Sequence, residues 1–301
     1  MSNHVIVGAS PVGSAVARLL AGQGESVRVV TRSGGGPEHP LIERVAADAT
    51  DAARLTDLTR GATVLYNCAN PKYTRWETLW PPLAAAMVTA AGAAGAVLAI
   101  TGNLYGYGPV PGGRMTERTP LAATGRKGRV RIAMWQDALA SGVRTVEVRG
   151  SDYIGAGTAS IFSAVLLPAI AKGRTAWAPV DVDAPHTFTY TGDMARALVT
   201  LAGDERALGR AWHVPSPAAL SVRDLADRYC ALARRQAGRG PVAAALRDAR
   251  RRHGRPDGPG AGGDGLPVLR AVPHGQHRDA ADVRPRRDRP GRGTAGGRRR
   301  R

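Results

Sequence analysis

The residues with the plainest chemical purpose stand at the start of the chain. His4-Val5-Ile6-Val7-Gly8-Ala9-Ser10-Pro11-Val12-Gly13 reads as a short apolar β run, a tight turn and the opening of an apolar helix. Gly8 permits the turn and Gly13 lets the helix pack closely on the strand. Ser10 stands where the pattern G-x-G-x-x-G has its second glycine. Amides at a helix N-terminus hold phosphate groups. Gly8, Ala9, Ser10, Pro11, Val12 and Gly13 are therefore the candidate dinucleotide loop, with the Ser10 hydroxyl able to donate to a phosphate. The next β run ends in Thr31-Arg32-Ser33, and no acid follows before Glu38. An acid at this point binds the ribose 2′-hydroxyl of NAD(H), whereas arginine suits the 2′-phosphate of NADP(H). The expectation is a nicotinamide cofactor, NADP(H) in preference to NAD(H), with Arg32 forking the phosphate and Thr31 and Ser33 adding hydroxyl bonds.

Such a loop needs a parallel sheet behind it. Apolar, β-rich runs recur at Val5–Val7, Val27–Val30, Thr63–Tyr66, Val97–Thr101 and Val143–Val148. Helical spacing predicts helices over 12–23, 75–95 and 126–141. Strands alternating with helices make a doubly wound, Rossmann-type α/β fold with both sheet faces covered. Further on, the pattern predicts a helix near 159–172, a strand at 187–190, a helix opened by Asp193 and a strand at 212–214. Ser221-Val222-Arg223-Asp224 then starts a last helix with a capping box. Residues 1–236 form the nucleotide-binding region, with elements of a small C-terminal substrate lobe from about residue 155.

Residues 237–301 differ in kind. They hold 17 Arg and 6 Asp, no Lys and no Glu, and so carry +11 of the net +18. Seven Leu and Val among these residues are too few to bury a core. The segment reads as a disordered basic tail or as an out-of-frame stretch of a GC-rich gene, with Pro241–Arg252 able to form a short basic helix. It lacks the interleaved aromatics of a nucleic-acid arm, so nucleic acid is not the expected partner. No run reaches the roughly 18 apolar residues of a membrane span. Two distant cysteines, Cys68 and Cys230, read as reduced core thiols, and the expected compartment is the cytoplasm. Neither metal-ligand spacing nor a G-x-S-x-G elbow is present.

The glycine loop is followed by Asp48-Ala49-Thr50-Asp51, Asn67-Cys68-Ala69-Asn70-Pro71, Thr101-Gly102-Asn103-Leu104-Tyr105-Gly106, Arg149–Gly155 and Thr187–Ala197. In this order and spacing the chain resembles the extended short-chain dehydrogenase/reductase superfamily, in its NAD-dependent epimerase/dehydratase branch, and most of all its atypical members. The resemblance implies that Asp48 and Ala49 lie near the adenine and Ala69 along the cofactor. It puts Thr101 at the catalytic Ser/Thr position. The Tyr-x-x-x-Lys helix that normally supplies the acid/base is replaced by Lys127-Gly128-Arg129-Val130-Arg131. Arg131 is then the fixed cation for the ribose, while Lys127 is a poor proton donor unless its pKa is depressed. Tyr105, Tyr107 and Tyr153 are the nearby hydroxyls, of which Tyr105 and Tyr153 are the candidate substitutes for the missing acid; all three also suit plain packing. His186 is a loop histidine able to reach the site, and His213 reads as a core or edge residue.

These features point to an oxidoreductase or epimerase-like enzyme using NADP(H) on a small carbonyl or hydroxyl compound. The altered helix motif keeps a second reading open, a non-catalytic NADP-binding redox sensor or scaffold. The resemblance also makes a homodimer, through a helix on the sheet face, compatible with the chain.

Overall fold

The β-branched runs become strands and the alanine-rich stretches between them become helices. A computed structural model describes residues 3–111, 113–237 and 246–248. The first half contains β1 (Asn3–Val7), α1 (Pro11–Gly22), β2 (Ser26–Thr31), β3 (Ile42–Ala46), α2 (Ala52–Thr59), β4 (Val64–Asn67), α3 (Trp76–Ala94) and β5 (Val97–Asn103). There follow α4 (Arg126–Ala140), β6 (Thr145–Gly150), β7 (Asp152–Ile154), α5 (Leu167–Ala171), β8 (Ala176–Ala178), β9 (Phe188–Tyr190), α6 (Thr191–Ala202), β10 (Arg210–His213) and α7 (Val222–Ala237).

Seven strands form one sheet in the order β10-β6-β5-β4-β1-β2-β3, and every pairing is parallel. All strands run the same way, but their sequence order reverses between β1 and β4. In open α/β sheets this switch point is where the carboxyl ends of the strands part to admit a ligand. Alternation along β1 sends Ile6 into a core with Val16, Leu20, Met194, Leu198 and Trp212 on one face. Val5 and Val7 go to the other face, with Leu65, Trp80, Met87, Leu98 and Trp135. Phe162, Leu166, Ile170, Val182, Phe188, Val222 and Cys230 pack in a separate cluster built from the later elements.

Three local expectations change. The predicted helix over 159–172 is a π-helical turn, Ile161–Leu166, followed by the short α5. Pro168 has no N–H for the carbonyl of residue 164, so a continuous α ladder cannot run through it. Asp193 does not open its helix: α6 starts at Thr191, and Asp193 in its first turn pairs with Arg196. Within the predicted basic helix at 241–252, Leu246–Asp248 is instead a strand, β11, paired in parallel with β8. Apart from β11, the tail from residue 238 onward lies outside the described residues. The capping box forms as read. Asp224 Oδ2 accepts from the Ser221 amide at 2.9 Å, and the Asp224 amide donates to Ser221 Oγ at 2.9 Å.

Candidate active site

The turn after β1 is built so tightly that two of its positions exclude side chains. Gly8 has φ +100°, and a Cβ there would lie 2.7 Å from the Cys68 carbonyl oxygen. At Gly13 a Cβ would sit 2.0 Å from the Gly8 carbonyl oxygen. The Gly8 amide donates to Val30 O at 2.9 Å, tying the turn to β2. Ser10 is the N-cap of α1, its Oγ accepting from the Gly13 amide at 3.2 Å. Ala9 O accepts from Ser14 Oγ, also at 3.2 Å. Pro11, at the first helical position, brings no N–H. The Val12 amide lies in the first turn of α1, where helix geometry leaves amides without an intrahelical acceptor. The Ser10 oxygen is thus used by the helix, while its own proton remains available. Ala69 follows β4 against the same turn, its amide 2.8 Å from where a Gly8 Cβ would be.

At the end of β2, Thr31 Oγ1 donates to Gly35 O at 3.1 Å, while Arg32 and Ser33 are exposed. The acid missing from the local sequence arrives in space from the loop after β3. Asp48 accepts from the Thr50 amide at 2.9 Å and from Thr50 Oγ1 at 2.8 Å. These bonds hold its carboxyl below the ordinary range, and the nearby Arg32 charge adds to the effect. Ala49 beside it is buried. Glu38 pairs instead with Arg44, at 3.1 Å.

On the other side of the switch point, Thr101 Oγ1 donates to Cys68 Sγ at 3.4 Å, and burial pushes the Cys68 thiol up to about 12. The Thr101 carbonyl accepts from Arg131 Nη1 at 3.3 Å. The Arg131 guanidinium lies over the Trp76 and Trp80 rings, 4.8 and 4.6 Å from their centroids, and its Nε is sealed without a partner. It is an interior cation behind Thr101 rather than a free arm. Helix α4 approaches closely because a Cβ at Gly128 would meet Tyr105 O at 2.8 Å.

The hydroxyls have distinct surroundings. Tyr153 Oη donates to Gly102 O at 2.7 Å. Tyr107 Oη lies 2.6 Å from His213 Nε2 and accepts from Arg149 Nη1 at 2.8 Å. Tyr105 Oη accepts from Tyr73 Oη at 3.3 Å. Burial raises the pKa of Tyr105 and Tyr153, and the Arg131 charge opposes it at both. Lys127 Nζ lies 4.3 Å from the centre of the Tyr73 ring. His186 Nε2 lies 3.2 Å from Asp152 Oδ2. The Asp152 charge in turn acts on both Tyr73 and Tyr105.

Comparison with known proteins decides the family. Its profile, the NAD-dependent epimerase/dehydratase family, matches residues 5–214. The chain belongs to the NAD-dependent epimerase/dehydratase family. Solved structures with the same fold include the dTDP-glucose 4,6-dehydratase of Bacillus anthracis str. Ames in complex with NAD. It has 15% identity and a TM-score of 0.70, with 83% of this chain and 85% of that chain covered. The UDP-N-acetylglucosamine 4-epimerase of Methanobrevibacter ruminantium M1, in complex with UDP-N-acetylmuramic acid, has 12% identity and a TM-score of 0.75 over 95% of this chain and 93% of that one. The Bordetella bronchiseptica enzyme WbmH, in complex with NAD+, has 19% identity and a TM-score of 0.68 over 91% and 90%. No curated protein matches the sequence.

In this member of the epimerase/dehydratase family the Gly8–Gly13 turn follows β1, and Thr101 lies in β5, toward the carboxyl ends of those strands. Tyr73, Asp152 and Glu147 were missed. Tyr73 sits in a 3-10 turn, Tyr73–Arg75, that carries no motif. Glu147 is an acid inside a buried strand, a residue that must have a partner. That partner is Arg149, whose Nη2 lies 2.6 Å from Glu147 Oε2. His213, read as a core or edge residue, belongs to the same polar chain through Tyr107. Among the described residues no helix is long and apolar enough to cross a membrane, and no His/Cys/Asp/Glu group could hold a metal ion.

Proposed function

We propose that this chain is a nicotinamide-dinucleotide-dependent oxidoreductase or epimerase acting at a carbonyl or secondary hydroxyl of a small molecule. The observation that carries the reading is the turn at the switch point. Gly8 and Gly13 cannot accept a Cβ, and the turn puts the Ser10 hydroxyl and the first-turn amides at the positive end of α1, where a phosphate would sit. When bound, a nicotinamide supplies hydride transfer to or from carbon. Thr101 and Tyr105 are the proposed polar groups beside the substrate oxygen. Arg131 fixes Thr101 through its carbonyl and keeps a positive field on Tyr105. Tyr153, its proton committed to Gly102 O, positions the end of β5.

The choice between the two dinucleotides rests on Arg32 and Asp48. The sequence reading favoured NADP(H) because it saw Arg32 without an acid. Two observations weigh against that preference: the Asp48 carboxylate lies in the field of Arg32, and the B. anthracis and B. bronchiseptica neighbours are complexes with NAD and NAD+. NAD(H) is therefore the proposed form, with Asp48 and Thr31 near the adenosine ribose and Ala49 and Ala69 along the cofactor.

Nucleotide sugars are the first substrate class to test, since neighbours of the same fold are a dTDP-glucose 4,6-dehydratase and a UDP-N-acetylglucosamine 4-epimerase. The experiment is nicotinamide absorbance with NADH or NADPH and a panel of carbonyl compounds that includes 4-keto nucleotide sugars. Oxidation of the reduced cofactor by a panel member supports the reading. Silence across the panel with cofactor bound counts against an enzyme and favours the sensor.

A further inference from the structure

The helix motif of this chain has lysine where its family places the catalytic tyrosine, so the proton donor must come from elsewhere. Five tyrosines lie in or beside the carboxyl ends of β4–β6. Tyr66 is 1% exposed in the core of the sheet. Tyr107 is held between Arg149 and His213, and Tyr153 is bonded to Gly102 O. Tyr105 and Tyr73 remain, hydroxyl to hydroxyl. The two oxygens are 3.3 Å apart, and Tyr73 is the more open of the two, 37% exposed. Its ring also carries the Lys127 ammonium at 4.3 Å and meets Trp76 edge-on at 5.2 Å.

We propose that Tyr73 and Lys127 rebuild in space the tyrosine–lysine pair that the helix has lost in sequence, with Tyr73 as the catalytic acid. The family's helix supplies both members four residues apart. Here the helix keeps only a cation, and the loop after β4 brings the phenol to it. This inference rests on the oxidoreductase reading above and names the proton source for it.

In the reducing direction the Tyr73 O–H bond breaks and its proton goes to the substrate oxygen. The carbonyl oxygen becomes O–H, and the hydride that its carbon needs is what a reduced nicotinamide would supply when bound. The phenolate left on Tyr73 is balanced by Lys127 across the ring and regains a proton from water at the open face. Burial, and to a smaller extent the Asp152 charge, raise the Tyr73 pKa and keep it protonated at neutral pH, as an acid must be. Tyr105 is the positioning partner that aims the Tyr73 hydroxyl.

The test uses the full chain and the variants Tyr73→Phe, Tyr105→Phe and Lys127→Met. The phenolate absorbance of wild type minus that of Tyr73→Phe isolates the Tyr73 titration. Repeating it in the Lys127→Met background should move the midpoint upward by about half a pH unit or more, since a cation that favours the phenolate is gone. On any carbonyl the wild type reduces, Tyr73→Phe should lose about 10²–10⁴-fold in kcat, the range of a general acid. Its NADH affinity should stay within about twofold, and Tyr105→Phe should lose less. An unmoved midpoint in Lys127→Met overturns the proposal, as does turnover by Tyr73→Phe within about threefold of wild type. A wild type that binds no cofactor would instead defeat the functional reading itself, and the titration would still decide the Tyr73–Lys127 pairing.

Discussion

Arg149 grips one carboxylate oxygen of Glu147 with two nitrogens, Nε at 2.7 Å and Nη2 at 2.6 Å, in a pair almost wholly removed from water. The Glu147 carboxylate fills the space that a side chain at Gly102 would need, its Oε1 2.6 Å from that Cβ position. Burial raises the Glu147 pKa, and the charges of Arg149 and Arg131 pull it back. Arg149 then reaches Tyr107, and Tyr107 reaches His213, so one polar chain links β6 to β10 beneath the candidate site.

Removing one member of that pair leaves the other charge buried and alone. Glu147→Leu is expected to cost about 3–5 kcal/mol in urea unfolding, whereas Glu147→Leu with Arg149→Met should recover much of the loss. Equal losses in the single and double variants would contradict the pairing as the source of the cost.

The cradle predicts an asymmetric response to small substitutions. Gly13→Ala places a methyl 2.0 Å from the Gly8 carbonyl oxygen, so the turn must open. Dinucleotide affinity should fall at least about tenfold, with a lower Tm. Gly22→Ala, in α1 where a Cβ meets nothing within 4 Å, should leave the affinity unchanged and the Tm equal or slightly higher. Calorimetric titration with NADH and a thermal melt check both.

Cofactor preference is expected to follow Asp48 and Arg32. Asp48→Asn frees Arg32 from its neighbouring charge and should shift the NADPH/NADH affinity ratio toward NADPH by about three- to tenfold. Arg32→Ala should shift it the opposite way. Fluorescence titrations of both nucleotides measure the ratio, and an unchanged ratio in both variants would remove these residues from the ribose site.

His4 gives the stability a pH dependence. It is buried in β1 beside Tyr66, and desolvation lowers its pKa, with the Glu25 charge a smaller opposing effect. The folded chain therefore keeps His4 neutral while the unfolded chain protonates it below its ordinary value of about 6.5. Above that pH the residue costs nothing. As pH falls through it the unfolded state gains a proton the fold resists, and stability drops. Urea midpoints at pH 5 and pH 8 should differ less in His4→Gln than in the wild type.

The capping box is a cleaner local case. Ser221→Ala removes the acceptor of the Asp224 amide and should cost about 1 kcal/mol, read in the same unfolding assay.

Much of the fold was legible because buried parallel strands read as β-branched runs, as at Val5–Val7 and Val97–Ile100. Edge strand β3, Ile-Glu-Arg-Val-Ala, is largely exposed and shows no such run, so only the family resemblance implied it. The glycine turn after β1 was legible because its constraints are local: a turn, a cap and a close approach within six residues. The opposite end of the site was not. Asp48 feels the Arg32 charge, Tyr73 meets Lys127 of α4, and Asp152 of β7 meets His186, each pair from separate elements. Sequence spacing carries no trace of such meetings until the sheet order brings the elements together.

The central claim is that the Gly8–Gly13 turn binds a nicotinamide dinucleotide. Calorimetric titration of the full chain with NADH tests it most directly. Saturable binding of about one NADH per chain, abolished by Gly13→Val, is the predicted result. No binding by the wild type at millimolar NADH and NADPH, or undiminished binding by Gly13→Val, would contradict it.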